Sequence, residues 1–140
     1  MPFLLDTNVL SELRKGARCD PSVTSWAARE SRETHYLSAL SLGEIRKGIE
    51  LLRRKAPRDA SALEDWLARL VGQYEGFILP ITPEIAETWG RLCARRPLPA
   101  IDSLLAATAI EFSLTIATRN TADFKGTGVK TVNPFRASVP

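Results

Sequence analysis

The chain has 140 residues, 44% of them hydrophobic, which is enough for one sizeable core and too little for two ordinary domains. Its 19 Lys and Arg against 16 Asp and Glu give a formal charge of +3, a bias toward polyanionic partners that decides nothing alone. No uncharged apolar window of about 18 residues occurs, and no basic stretch precedes an apolar run of signal-peptide length, so no membrane span and a cytoplasmic location are expected.

Phe3-Leu4-Leu5 is apolar without alternation, as a short strand buried on both faces must be, and it ends abruptly in Asp6-Thr7-Asn8. A helix follows, with Val9, Leu10 and Leu13 at helical spacing and a glycine stop at Gly16. Cys19 and Cys93 are too few and too far apart for a disulfide framework or a metal-ligand pair, and read as free thiols. Pro21 to Arg29 predicts a second helix and Thr34 to Ala39 a second strand. Ser41 with Glu44 three residues on matches a capping box, opening a helix that packs through Leu42, Ile45, Ile49 and Leu52.

A further helix is expected from about Arg58 to Gln73, then an apolar strand in Phe77 to Ile81. Pro83 starts a helix carrying Ile85, Ala86, Trp89 and Leu92, which stops near Arg96-Pro97 because proline disfavours helix before it. The next helix opens at Pro99-Ala100-Ile101, with Ile101, Leu105, Thr108 and Phe112 as its core stripe. The run Leu114 to Thr118 and a short strand at Val129 to Val132 follow. Strands alternating with helices predict a three-layer α/β/α fold with a largely parallel sheet. Residues 1–132 are expected to form the domain and residues 133–140 a loosely attached tail.

In parallel α/β sheets, ligands bind beyond the carboxyl ends of the strands, so the acids after each apolar run matter most. Asp6 ends the first strand, and Asp123 lies five residues past Thr118. Asp102 stands in a first helical turn with only Ala106 and Ala109 one turn on, and Gly48 leaves space above Glu44. Three of them have an ordinary explanation: a helix cap for Asp6, the helix dipole for Asp102, and a capping box or an ion pair to Lys47 for Glu44. Jointly, four unrelated acids at one end of a sheet form the oxygen-ligand set that Mg²⁺ or Mn²⁺ requires.

The segments LLDTNVLSEL (4–13), SLGEI around Glu44, AIDSLLAATA (100–109) and TRNTADF (118–124) together resemble the PIN-domain ribonucleases, especially bacterial toxins of VapC and FitB type. The similarity spans nearly the whole chain, with motif order and spacing agreeing. It implies a PIN-like sheet of four to five strands and Asp6, Glu44, Asp102 and Asp123 as metal-binding acids, supported by Asn8, Thr118 and Asn120. It also implies an RNA substrate, a homodimer, and inhibition by an antitoxin whose C-terminal segment occupies the groove. Leu51 and Leu63, outside the core stripes, are candidate dimer contributors.

The expected chemistry is in-line attack of water on the scissile phosphate, leaving a 5′-phosphate and a 3′-hydroxyl. His35, the sole histidine, lacks a partner for metal-free proton transfer and reads as structural. Trp26, Trp66 and Trp89 read as core. Arg46, Lys47 and Arg119 are candidate RNA contacts; the basic stretches around residues 46–58 and 91–96 equally suit solvated helix faces. Two rivals remain. An aspartyl-nucleophile phosphatase suits Asp6, but Asn8 stands where its second aspartate would be. A non-catalytic RNA- or protein-binding module would do better without four carboxylates that repel phosphate.

Overall fold

In the computed structural model, which describes residues 2–136, the run Phe3–Leu5 forms β1 and all three side chains are buried. Leu4 packs into the core on one side of the sheet, Phe3 and Leu5 into the core on the other. β1 pairs in parallel with β2 (His35–Ser38) and with β4 (Thr115–Ala117). β3 (Ile78–Leu79) extends the sheet beyond β2, and β5 (Thr131–Val132) extends it beyond β4. The result is five parallel strands in the order β3-β2-β1-β4-β5.

Helices α1 (Thr7–Leu13), α2 (Pro21–Arg29), α3 (Ala39–Arg53) and α4 (Pro57–Gln73) cover one face. Val9, Val23, Trp26, Ile45, Ile49 and Leu67 meet Phe3, Leu5 and Leu37 there. Helices α5 (Pro83–Arg95) and α6 (Ala100–Phe112) cover the other face, where Leu92, Leu105, Ala106 and Ala109 meet Leu4 and Ile116. The chain therefore has the three layers that its alternating pattern predicts. Leu4 has no exposed surface at the centre of the sheet, so truncation to alanine should cost about 2–5 kcal/mol.

Of the tryptophans, Trp26 is buried, while Trp66 and Trp89 are half-buried. His35 is buried and stacks on Trp26, with ring centroids 5.2 Å apart. Trp66 packs against the core of the α1–α4 side, and Trp89 donates Nε1–H to Ser103 Oγ at 2.9 Å, tying α5 to α6. Both cysteines are free thiols. Among the described residues, no helix is long and apolar enough to cross a membrane.

Local expectations fail at three places. Helix α3 begins at Ala39, its cap is Ser38 accepting from Leu40 N, and Ser41 is buried inside the helix, so no capping box forms. On α6, Phe112 is 43% exposed, because the buried face turns through Ser103, Ala106 and Ala109 instead. Leu63 packs against the core, leaving only Leu51, 53% exposed, as an uncovered apolar residue of that pair. Of the segment 133–140, residues 133–136 are described, with Pro134 buried and Phe135 packed against the core; 137–140 lie outside the described residues.

Candidate active site

The strand order reverses between β1 and β4, since the chain builds outward from β1 to β3 and then returns to lay β4 on the opposite side. Such a switch point leaves a crevice at the carboxyl ends of the two strands. Asp6 and Thr118 immediately follow those strands and meet across it. Asp6 N–H donates to Ala117 O at 3.0 Å, and Thr118 Oγ1–H donates to Asp6 Oδ2 at 2.8 Å.

The Asp6 carboxylate is used on both oxygens. Oδ1 accepts from Thr7 N at 2.7 Å and caps α1, which is the ordinary helix-cap role. Oδ2 faces the crevice, where Asn8 Nδ2 also approaches at 3.4 Å. Asn8 in turn donates to Thr118 Oγ1 at 3.3 Å and accepts from Arg119 N at 3.1 Å, while Asn120 N donates to Thr118 Oγ1 at 3.0 Å. Thr118 has no exposed surface and Asp6 only 9%, so the bond between them is held away from bulk water. Asn8 and Thr118 thus orient Asp6 directly, whereas Asn120 contributes its backbone.

The other three acids arrive from separate elements. Glu44 lies on α3 and accepts from Thr7 Oγ1 at 2.8 Å, so the residue that follows Asp6 also aims Glu44. Asp102 lies in the first turn of α6, and Asp123 lies in a 3-10 turn at Thr121–Phe124. The Asp102 carboxyl is pushed above the usual aspartate range, first by burial and then by the negative charges of Asp6, Asp123 and Glu44. All four acids therefore share one electrostatic field. Among the described residues, no Lys or Arg forms an ion pair with any of them.

Sequence alone gave no sign of several supporting residues. Thr7 has the role just described. Arg96, at the end of α5, donates to Lys125 O and its guanidinium lies 3.1 Å from where a Cβ on Gly126 would stand; Gly126 has φ +81°. A side chain there is strained by the backbone conformation and would press the Arg96 guanidinium aside, so the turn after Asp123 favours glycine. Asn133 and Phe135 touch Arg119, ahead of the turn that carries Asp123.

The basic candidates separate. Arg46 is engaged within the protein, by Glu50 at 3.2 Å and Glu64 at 3.1 Å. Lys47 lines a groove of about 600 Å³ with Leu40, Gly43, Glu44, Leu51 and Ile101. Arg119 is exposed at the rim of the crevice, with its guanidinium over the Phe135 ring.

The donor set is wholly oxygen and carries several negative charges, which fits a hard divalent cation. Among the described residues, no three acidic, histidine or cysteine side chains form a ready metal-ligand group. Mg²⁺ needs no such cage, because it keeps several waters and is commonly held by one or two carboxylates. Asp6 and Asp102 are the best placed, one oriented by hydrogen bonds and the other desolvated beside three acids.

Comparison with known proteins gives relatives over nearly the whole chain. The chain is 30% identical over 139 residues to VapC ribonuclease Y4jK of Sinorhizobium fredii, covering 95% of this chain and 97% of that protein. It is 32% identical to toxin FitB of Neisseria gonorrhoeae, covering 95% and 98%, and it superposes on the crystal structure of FitAcB from that organism with a TM-score of 0.85. A toxin-antitoxin complex from Klebsiella pneumoniae matches at a TM-score of 0.65 and 27% identity, covering 94% and 96%. The PIN domain model matches residues 3–130, and with the acids gathered at the sheet's switch point this chain belongs to the PIN domain family.

Proposed function

We propose that this chain is a divalent-metal-dependent ribonuclease and the toxin of a toxin–antitoxin pair. The observation that carries the reading is that Asp6, Asp123 and Glu44 all act on the Asp102 carboxyl beside the switch point while, among the described residues, no basic side chain pairs with any of the four. Carboxylates left uncompensated at a partly desolvated site repel both one another and a phosphate backbone, so a fold that keeps them there needs a cation to be useful. Asp6 and Asp102 would hold Mg²⁺ or Mn²⁺, with Glu44 and Asp123 completing the set. When bound, such an ion supplies positive charge against the scissile phosphate and makes water a competent nucleophile near neutral pH.

The chain's own residues do the remaining work. Thr118 and Asn8 fix the Asp6 carboxylate, Thr7 fixes Glu44, and Lys47 and Arg119 stand on either margin where flanking phosphates would pass. The names of the relatives, a ribonuclease and a toxin, support RNA as substrate and a toxin role. The groove beside Glu44, apolar through Leu40, Leu51 and Ile101, suits an antitoxin segment, and the solved toxin-antitoxin relative supports such a partner. A homodimer is proposed on the same family grounds, with Leu51 as a contributor.

Asn8 bears on the phosphatase rival, because both ends of its amide are committed to Arg119 N, Thr118 and Asp6. It supplies no acid for phosphoryl chemistry. The test is incubation of the purified chain with RNA and Mg²⁺ or Mn²⁺, with and without chelator, followed by analysis of the cut ends. Metal-dependent cleavage leaving 5′-phosphates is expected. A 2′,3′-cyclic phosphate would overturn the mechanism, and RNA binding that survives chelator without cleavage would favour a binding module.

A further inference from the structure

We propose that the segment 133–136 is a latch whose Asn133 and Phe135 position the loop after β4 and, through it, Asn8 and Asp6; its effect on turnover rests on the nuclease reading above. After β5, where Val132 O accepts from Thr118 N at 2.9 Å, the chain turns back over the crevice loop. Asn133 builds that turn. Its Oδ1 accepts from Phe135 N at 3.0 Å, its carbonyl accepts from Arg136 N at 3.2 Å, and its Nδ2 reaches Arg119 O at 3.5 Å. Pro134 is buried, and Phe135 packs against the α1–α4 core with its ring 3.8 Å from the Arg119 guanidinium carbon.

Arg119 is thereby held through its side chain and carbonyl on one side, while its N–H donates to Asn8 Oδ1 at 3.1 Å on the other. That donor settles which way the Asn8 amide faces, because a backbone N–H can be met only by the oxygen. The amide nitrogen is left to point at Asp6 Oδ2 and Thr118 Oγ1. If Arg119 loosens, Asn8 can rotate, and Asp6 loses one of the two donors that aim its crevice oxygen. Asn133 and Phe135 act through Arg119 and are positioning residues. A mere packing role for Phe135 predicts a loss spread over the whole core; a latch predicts one confined to the crevice loop.

The variants Phe135→Ala, Phe135→Trp and Asn133→Ala, made in the full chain, separate these outcomes. Hydrogen exchange in chelator should quicken over residues 118–124 in both alanine variants while α3 and α6 keep wild-type rates, and tryptophan should restore the loop. With Mg²⁺ and a mixed-sequence single-stranded RNA oligonucleotide, Phe135→Ala should lose about ten- to a hundredfold in kcat at unchanged KM, the size expected of a small misplacement at a reacting centre. Wild-type exchange over 118–124 in both alanine variants, or quickening spread evenly over the chain, overturns the latch. A wild-type chain that cuts no RNA defeats the nuclease reading instead, and the exchange result still decides the latch.

Discussion

Acidic residues occupy two regions of this protein in opposite ways. On the α3–α4 hairpin, Glu50 and Glu64 are gripped by Arg46 and Arg53, and hydrogen bonds from Arg53 and then Arg46 hold both carboxyls below the usual glutamate range. At the switch point Asp102 lies above the usual aspartate range, and three further acids stand near it instead of an arginine. Arg46 and Arg53 are engaged by the hairpin acids and not by the switch-point acids. Two carboxylates about 4 Å apart repel by roughly 4 kcal/mol at an effective dielectric near 20, a tension that a structural ion-pair network avoids and a cation site retains.

The largest expected difference between the regions is in activity. Asp102→Asn should reduce metal-dependent RNA cleavage by more than about a hundredfold, beyond the 10- to 100-fold typical of residues that only support a metal ligand. Glu64→Gln should leave kcat and KM at wild-type values. Equal losses in both variants would erase the distinction. Metal linkage is the next effect: Mn²⁺ at about 100 times its dissociation constant should stabilise wild type by about 2.7 kcal/mol in denaturant titration, Glu64→Gln equally, and Asp102→Asn far less. Equal stabilisation of all three proteins would place the ion elsewhere.

The pH dependence should also have opposite signs. Asp102 has its folded pKa raised, so between the ordinary aspartate range and that raised value the folded state binds more protons than the unfolded state. Its contribution to stability therefore falls as pH rises through this window. Glu50 and Glu64 have lowered folded values; their contribution is present above the unfolded glutamate pKa and is lost as pH falls through the folded one. In chelator, Asp102→Asn should be at least as stable as wild type near pH 7 and lose the decline. Asp6→Asn should behave differently within the same cluster, because an amide would set an N–H₂ against the Asn8 donor; it should lose about 0.5–1.5 kcal/mol, the net worth of one hydrogen bond. Parallel urea melts across pH would show whether the two aspartates part in this way.

What the sequence made legible follows the range of the interactions involved. Asp6 was legible because an apolar run ends on it, and Asp102 because its helix register places small residues over it; both depend on a few neighbouring positions. Ser41 misled for the same local reason. Two serines flank the strand-to-helix boundary, and the Ser-x-x-Glu spacing favours the second, while β2 in fact ends at Ser38, whose hydroxyl then caps Leu40 N. The ion pair of Arg46 is not legible locally, because Glu64, its partner on the next helix, is brought close only by α3–α4 packing. Likewise nothing local marks Phe135 as a partner of Arg119, since that contact needs β4 and β5 already paired.

The smallest expected effect lies in the hairpin network itself. Arg46, Glu50, Arg53 and Glu64 are 39–54% exposed, so water screens their attraction and each long side chain loses rotamer freedom in keeping the geometry. Their carboxyl pKa values are displaced, yet the pairs should contribute little to the folding free energy. Arg53→Ala and Glu64→Gln should each lower the denaturation midpoint only slightly at low salt, and the double variant should lose less than the sum because the two share a contact. Raising the ionic strength should shrink all three losses together. A large, salt-insensitive loss would mean that the hairpin carboxylates are structural anchors, with the exposed aliphatic stem of Arg53 packing more than its position suggests. A small and screened loss leaves the paired surface acids as weak contributors, so that their displaced pKa values report local attraction and little of the folding free energy.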